Sequence, residues 1–396
     1  MKKKYIIFSL VTLVLLVALI TSFNYFKTTN AYIDDSVNNQ TKITKGISMN
    51  LEQTAGAGNY KTVTRSSWPT EGYKFNAELS RCENGSTLSW DDTKKAVIVS
   101  GNLSDKCYVY FDIYQPTLAE YIKSQYTGTQ GDNGIYYHNS TLANGAGDNS
   151  YRYAGASDSV NNYICLGSDA TTCPDTNLFR IIGVFGDQTK VIRANSVGDQ
   201  KWHTSSSNKW SSSSLNTYLN GTYLTSLGTL AEKIVTTTWK VGGGSWSNIE
   251  TSVPKTAYQY EVGSSAWTTT YDAKIGLMYV SDYYYSASPS AWTLVGNNDD
   301  ATKDYRAAKT INWLYLGSAE WTISRTSDTI DFAFRVDSTG SVLDGDVTDN
   351  YAVRPSFNLE SSVKYVSGSG SMSDPVRVTD WRTVLNKLRW NIGEMR

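Results

Sequence analysis

The apolar run Tyr5–Phe23 constrains this chain more than any other stretch, because it carries no charge and directly follows Lys2, Lys3 and Lys4. At ~1.5 Å per residue, about nineteen helical residues approach the ~30 Å hydrocarbon core of a bilayer. Positive charge is retained on the cytoplasmic side. The sequence therefore predicts a single-pass protein of the cell membrane, which contacts the membrane through its N-terminal helix and has the bulk of its chain outside the cytoplasm.

A cleaved secretory signal is the alternative interpretation. Such a signal ends at small residues, and Thr29 and Ala31 are the only tolerable pair. They lie well past the apolar run, with Phe26 and Lys27 between, so we expect the segment to be retained as an anchor. Both interpretations place the rest of the chain outside the cytoplasm.

Composition indicates a β-rich chain without a nucleic-acid footprint. Among 396 residues, 36 basic side chains almost balance 37 acidic ones, which argues against nucleic acid as a partner. The 28 Tyr, 12 Trp and 30 Gly, with only 7 Pro, are typical of short strands and polar turns.

Four cysteines permit three pairings. Cys82 and Cys107 flank one segment of alternating strands, and Cys165 and Cys173 close a short loop, so proximity favours Cys82–Cys107 and Cys165–Cys173. Disulfides of this kind persist in oxidising compartments. A redox or metal role is disfavoured, because the chain has no C-x-x-C and only two histidines.

The chain divides by composition into five parts. Residues 1–23 form the cytoplasmic lysines and transmembrane anchor, 24–45 a polar stalk, 46–115 a small β-sandwich-like module, 117–378 the larger domain, and 379–396 a tail with the spacing of a short amphipathic helix. The predicted fold class is thus β-rich α+β behind a transmembrane helix.

Local patterns predict the elements of the larger domain. Thr117 caps a short helix over Leu118–Gln125, with Glu120 near its N-terminus. A hairpin turns at Gly186–Asp187. Apolar residues at helical spacing predict one helix over Leu215–Leu227 that Gly221 weakens. Further strands are predicted at Lys233–Lys240, Lys274–Tyr285, Glu320–Arg325, Ile330–Val336, Ala352–Leu359 and Lys364–Val366.

Several motifs resemble those of uncharacterised exported proteins of Gram-positive gut bacteria. They are NYICLGSDATTCPDTNLFRIIGVF (162–185), SLNTYLNGTYL (214–224), TTWKVGG (237–243), IGLMYVSDYYY (275–285), EWTISR (320–325) and AVRPSFNL (352–359). The resemblance implies a C-type-lectin-like mixed domain, distantly similar to the formylglycine-generating-enzyme superfamily. It implies no activity.

Catalytic signatures are weak. Cys165 and Cys173 precede the core strands and close a local loop, so the oxidase chemistry of that superfamily lacks a nucleophile. Nothing such as G-x-S-x-G marks a serine nucleophile. We therefore expect an extracytoplasmic binding or adhesion protein, with a glycan or a surface protein as partner. The alternatives are a cell-wall or glycan-active enzyme on the same scaffold and a structural surface subunit.

The ligand-binding candidates lie in residues 281–309. Tyr283, Tyr285 and Trp292 are followed by Asn298 and Asp300, and rings beside amide and carboxylate oxygens suit sugars. Ordinary core packing of the aromatic side chains is the alternative.

The acidic stretch 337–350 is a candidate calcium site, the only cofactor that the sequence suggests. Asp344, Asp346 and Asp349 offer oxygen ligands in close succession, although their spacing departs from the EF-hand pattern. The alternative is a solvated hairpin turn at Asp344–Gly345. Nearby, Arg354 is predicted to pair with a buried carboxylate.

Overall fold

The structure is a computed structural model and describes residues 46–379, except residues 71 and 103. The predicted anchor, the stalk up to residue 45 and the tail from residue 380 lie outside the described residues. The chain splits into two compact units, with the boundary between Gln115 and Pro116.

The first unit consists of short strands around a small apolar core. The strands are β1 (Ile47–Glu52), β2 (Tyr60–Val63), β3 (Tyr73–Cys82), β4 (Thr87–Asp91), β5 (Ala96–Ser100) and β6 (Cys107–Ile113). Four form a sheet in the order β2-β1-β6-β3, in which β1 and β6 are parallel, and β4 pairs with β5. Phe111 is fully buried and contacts Phe75, Trp68 and Trp90, so the hairpin packs on the sheet through aromatic rings.

The second unit contains the remaining strands and all the described helices. Its strands are β7 (Ile135–Tyr137), β8 (Tyr151–Tyr153), β9 (Tyr163–Cys165), β10 (Leu178–Phe185), β11 (Gln188–Arg193), β12 (Asp199–Lys201), β13 (Thr237–Lys240), β14 (Thr270–Ala273), β15 (Glu320–Arg325), β16 (Phe332–Val336), β17 (Val342–Asp346), β18 (Asn350–Ala352), β19 (Ser356–Leu359), β20 (Tyr365–Ser367) and β21 (Val376–Val378). Its α-helices are α1 (Leu118–Ser124), α2 (Ser214–Tyr218), α3 (Leu224–Ser226), α4 (Trp246–Ile249), α5 (Pro254–Glu261) and α6 (Val280–Tyr285).

Three sheets organise this unit. The largest has eight strands. Six of them follow the order β19-β11-β10-β9-β21-β20, and the other two are β8, which pairs with β10, and β7, which pairs with β8. A second sheet has the order β12-β18-β15-β16-β17, and β13 pairs with β14 in a separate ribbon. Strand β10 is buried along nearly its whole length, so the hairpin of β10 and β11 forms the centre of the core.

Several local predictions are confirmed. Thr117 and Glu120 form a capping box at the start of α1. The predicted hairpin turns at Gly186, whose φ is 65°. The predicted helix runs from α2 to α3 through a π-helical turn, Leu219–Tyr223, which contains Gly221. Both predicted disulfides are present, Cys82–Cys107 and Cys165–Cys173.

The predicted strand over Lys274–Tyr285 is wrong, because residues 280–285 form α6. Both carboxylate oxygens of Glu261 accept hydrogen bonds from the first helical N–H groups, those of Val280 (2.9 Å) and Ser281 (2.8 Å). Asp282 accepts a third from the N–H of Tyr279 (2.8 Å). These bonds satisfy donors that an α-helix leaves unpaired, and they outweigh the strand propensity of three consecutive tyrosines.

The predicted fold class is also wrong and is corrected here. Its transmembrane helix, Tyr5–Phe23, lies outside the described residues, and within residues 46–379 no helix is long and apolar enough to cross a membrane. The prediction of single-pass localisation at the cell membrane is contradicted by the same finding. In place of a single C-type-lectin-like mixed core, the described residues form several separate sheets and are β-rich, with 33% strand and 18% helix. Alternation along the sequence identifies strands, whereas their partners depend on long-range pairing.

Candidate functional site

A pocket of about 250 Å³ opens in the second unit beside the β10–β11 hairpin. Strands β11 and β13 and the N-terminal end of α6 supply most of its wall, and α5 contributes Tyr258. Its lining residues are Asp148, Arg152, Phe185, Gln188, Lys190, Thr237, Thr238, Trp239, Lys240, Tyr258, Val262, Tyr279, Ser281, Asp282 and Asn358. Charged, amide, hydroxyl and aromatic groups therefore meet in one concave surface, as in ligand sites.

Four charged side chains alternate in sign along this pocket. The Nζ of Lys190 donates to Oδ2 of Asp282 at 2.5 Å, and Oδ1 of Asp282 lies 3.8 Å from NH1 of Arg152. On its other side Arg152 donates to Oδ2 of Asp148 at 2.6 Å, and that oxygen also accepts from the hydroxyl of Tyr258 at 3.0 Å. Lys190, Arg152 and Asp282 are each buried. The two positive and two negative charges of this row cancel one another, and Lys240, whose Nζ donates to the carbonyl of Gly263, is the remaining charged residue of the lining. The four alternating charges therefore suit a ligand without net charge.

Burial and mutual attraction shift the titration of these groups. Burial lowers the pKa of Lys190, although Asp282 opposes the shift. Burial would raise the pKa of Asp148, but the charge of Arg152 and the hydrogen bonds from Ser150 and Arg152 together outweigh burial and lower that pKa. For Arg152, burial lowers the pKa and the charges of Asp148 and Asp282 raise it, with a net increase. Asp148 and Arg152 therefore stay ionised at neutral pH.

Aromatic rings surround the two cations. The Nζ of Lys190 lies 4.6 Å from the ring centre of Tyr279 and 5.4 Å from that of Trp239. The guanidinium of Arg152 lies 4.7 Å from the ring centre of Phe185 and 5.3 Å from that of Tyr258. Such cation–π contacts stabilise buried charge without using the N–H donors.

Hydrogen-bonding groups remain open to a ligand in this pocket. An ammonium has three N–H donors. Among the described residues, the Nζ of Lys190 has one hydrogen-bond acceptor, Asp282. Gln188 lines the pocket and is half-buried, and its amide makes no hydrogen bond within the described residues. Asn358 donates to the hydroxyl of Thr237 at 2.9 Å, which leaves its Oδ1 as an acceptor. The arrangement can therefore both donate to and accept from a neutral polar molecule.

Asp148 and Glu261 are poorly placed to act as the general acid of a glycosidase. Asp148 lines the pocket and is only partly buried, but it forms an ion pair with Arg152 and has a lowered pKa. Glu261 has a raised pKa through burial, but it does not line the pocket, and its oxygens hold the N-terminal end of α6. A glycosidase needs one carboxylic acid with a raised pKa facing its substrate.

The structure places the predicted aromatic ligand contacts in the core. Tyr283, Tyr285 and Trp292 are at most 1% exposed. Their polar atoms donate to the carbonyl oxygens of Gly340 (2.8 Å), Asn144 (3.2 Å) and Ala287 (2.9 Å), respectively. All six residues of α6 are buried, and so is Trp292, so these rings form no exposed surface in the structure.

Asn298 and Asp300 lie in a loop that is partly exposed. Oδ1 of Asn298 accepts from the N–H of Asp300 at 2.9 Å, and Asp300 accepts from Thr302. The hydrogen bonds from Thr302 lower the pKa of Asp300 to about 2. These polar side chains are therefore partly open to solvent, whereas the rings of Tyr283, Tyr285 and Trp292 are buried.

The candidate calcium ligands are not assembled either. Among the described residues, one group of three His, Cys, Asp or Glu side chains has its ligand atoms within 4.8 Å of one another, namely Cys82, Asp105 and Cys107. The two cysteines of this group form a disulfide. Asp344 accepts from the indole N–H of Trp246 (2.6 Å), Asp346 from Thr348 and Asp349 from Tyr351. The predicted turn at Asp344–Gly345 is also wrong: these residues lie within β17, and the tight turn before it contains Gly340 with φ 98°.

Sequence reasoning predicted Arg354 correctly and missed the pocket. Arg354 donates to both carboxylate oxygens of buried Glu320, at 2.7 and 2.8 Å. Lys190 and Arg152 were missed although each is a charged residue inside a buried strand. A charge at such a position requires a partner or a function, and this was the available signal.

One comparison with known proteins found a similarity in part of this unit. Residues 186–361 match a family described as a domain of unknown function, DUF6273. The match covers less than half of the chain, and it includes the pocket residues from Gln188 to Asn358 but not Asp148, Arg152 or Phe185. No curated protein matches the chain. No solved structure matches it. The resemblance to exported proteins of Gram-positive gut bacteria stays a prediction.

Proposed function

We propose that this chain is an extracytoplasmic binding protein whose second unit holds a small neutral saccharide in the pocket at Lys190. The observation that carries the proposal is the alternating chain of Lys190, Asp282, Arg152 and Asp148 beside aromatic rings. Each sugar hydroxyl both donates and accepts, and thus matches neighbouring donors and acceptors of opposite charge. Apolar ring faces of a sugar match Phe185 and Tyr258, the half-buried aromatic residues of the lining.

Size and compartment support the same proposal. The volume of about 250 Å³ lies just below the ~300–1,000 Å³ of clefts for drug-sized ligands, which suits one or two sugar rings. Both cysteine pairs are oxidised, and no cysteine remains free. Disulfides are characteristic of exported proteins.

The test is a glycan array followed by titration calorimetry with the monosaccharides that bind, on the wild type and two pocket variants. Lys190→Met removes the ammonium but keeps the apolar stem, and Gln188→Ala removes an amide of the lining. Loss of a charge-assisted hydrogen bond costs about 1.5–3 kcal/mol, so Lys190→Met should weaken binding at least about tenfold.

Asn298→Ala and Asp300→Ala are the matched controls, because these residues lie on the exposed loop first predicted to bind. They should leave the affinity unchanged. Weaker binding by these two variants with unchanged binding by Lys190→Met and Gln188→Ala would transfer the site to the loop. Circular dichroism of each variant separates loss of binding from loss of fold.

A further inference from the structure

Trp267 is a large apolar side chain that remains 57% exposed next to the pocket. Its Cβ lies against Gly242, where any added Cβ would collide with it. Gly242 follows Lys240, which lines the pocket, by two residues on the continuation of β13. Residues two apart in an extended chain are at most about 7 Å apart, so Trp267 lies close to the end of the pocket that Lys240 lines.

The segment that carries Trp267 is fixed at both ends. Val262, at its start, lines the pocket, and the carbonyl of Gly263 accepts from Nζ of Lys240 at 3.3 Å. At its other end, the carbonyl of Thr269 accepts from the N–H of Val241 at 3.0 Å. Trp267 is thereby held over a glycine, and among the described residues its ring has no aromatic partner and its indole N–H no acceptor.

We propose that Trp267 is an outer subsite, and that the ligand is an oligosaccharide whose terminal sugar fills the pocket while the next sugar stacks on this ring. The proposal rests on the saccharide pocket described above. An exposed indole offers an apolar face for one side of a sugar ring and an N–H donor for a hydroxyl. Continuity with the pocket along β13 selects a chain of sugars over a single one.

The test is titration of the full-length protein with β-1,4-linked N-acetylglucosamine oligomers, from the monosaccharide to the tetrasaccharide, and with the corresponding glucose series. In at least one series we expect the affinity of the wild type to rise by about tenfold between the monosaccharide and the disaccharide or trisaccharide. Trp267→Ala should abolish this rise and leave the affinity for the monosaccharide unchanged. Lys190→Met should weaken binding at every chain length.

Trp246→Ala is the matched control. Trp246 is 41% exposed, but it bonds to Asp328 and Asp344, which do not line the pocket. An equal loss from Trp246→Ala and Trp267→Ala would overturn the subsite. So would monosaccharide binding that depends on Lys190 but does not strengthen with chain length, and the pocket would then stand alone. Absence of binding in both series would overturn the pocket and the subsite together.

Discussion

At the scale of single residues, the buried histidine next to the pocket shows how one hydrogen bond fixes the tautomer of a neutral imidazole ring. His138 is fully buried, and its Nδ1 accepts from the N–H of Ala146 at 3.1 Å. A ring nitrogen that accepts carries no proton, so the neutral ring carries its hydrogen on Nε2. That atom has no hydrogen-bond partner among the described residues. Tyr285 and Trp292 pack their rings against it, at 4.8 and 5.1 Å between centres.

His138 should therefore make the folded state sensitive to acid. Burial, and then the charge of Arg152, lower its pKa well below 6.5, while Asp148 opposes the shift. Above about pH 6.5 neither state is protonated at this ring. Below it the unfolded chain binds a proton that the folded chain does not, so stability falls by up to about 1.4 kcal/mol per pH unit.

The measurement is urea denaturation from about pH 8 to about pH 5, on the wild type and His138→Phe. The variant loses the acceptor for Ala146 and should be less stable at pH 8, but its stability should decrease less steeply below about pH 6.5. An identical slope in the two proteins would show that other groups cause the acid sensitivity.

At the scale of secondary-structure elements, prediction from sequence succeeded where the determinants are local. Helix α1 was predicted from Thr117 as its cap and Glu120 near its N-terminus, and in the structure these two neighbouring residues form a capping box. Helix α6 was missed because its main cap, Glu261, belongs to α5 and the helix itself is a run of strand-forming tyrosines. The pocket was missed for the same reason, since Lys190 and Asp282 are 92 residues apart.

Glu261 should accordingly be more important for α6 than any residue of the helix itself. Glu261→Leu leaves the N–H groups of Val280 and Ser281 and the hydroxyl of Ser324 without their acceptor. A buried unsatisfied donor costs about 1–3 kcal/mol, so we expect a loss of several kcal/mol in the free energy of unfolding.

Glu261→Gln is the matched control for this prediction. It keeps the volume and one carbonyl oxygen, and should therefore be destabilised less than Glu261→Leu. Chemical denaturation followed by tryptophan fluorescence measures both. Equal losses in the two variants would mean that packing around residue 261, and not the acceptor atoms, holds the end of the helix.

At the scale of the whole molecule, the two units have separate cores. The core around Phe111 contains only residues before Gln115, whereas the core around Ile181 contains only residues after Pro116. Each unit also has one disulfide, which closes 25 residues in the first and 8 in the second. Since loop closure restricts the unfolded chain, the two bridges are expected to contribute about 3.5 and about 2.5 kcal/mol, respectively.

Removal of one bridge should therefore affect one unit only. In calorimetry, Cys82→Ser combined with Cys107→Ser should lower the melting temperature of one transition, and Cys165→Ser combined with Cys173→Ser that of another.

A monosaccharide bound at Lys190 should raise the melting temperature of only the transition that the second pair lowers, because a ligand stabilises the state that it binds. The disulfide Cys82–Cys107 closes the longer loop and lies in the unit with the smaller core. Its removal should therefore lower the melting temperature more. One shared transition that both pairs lower equally would instead show that the two cores unfold cooperatively.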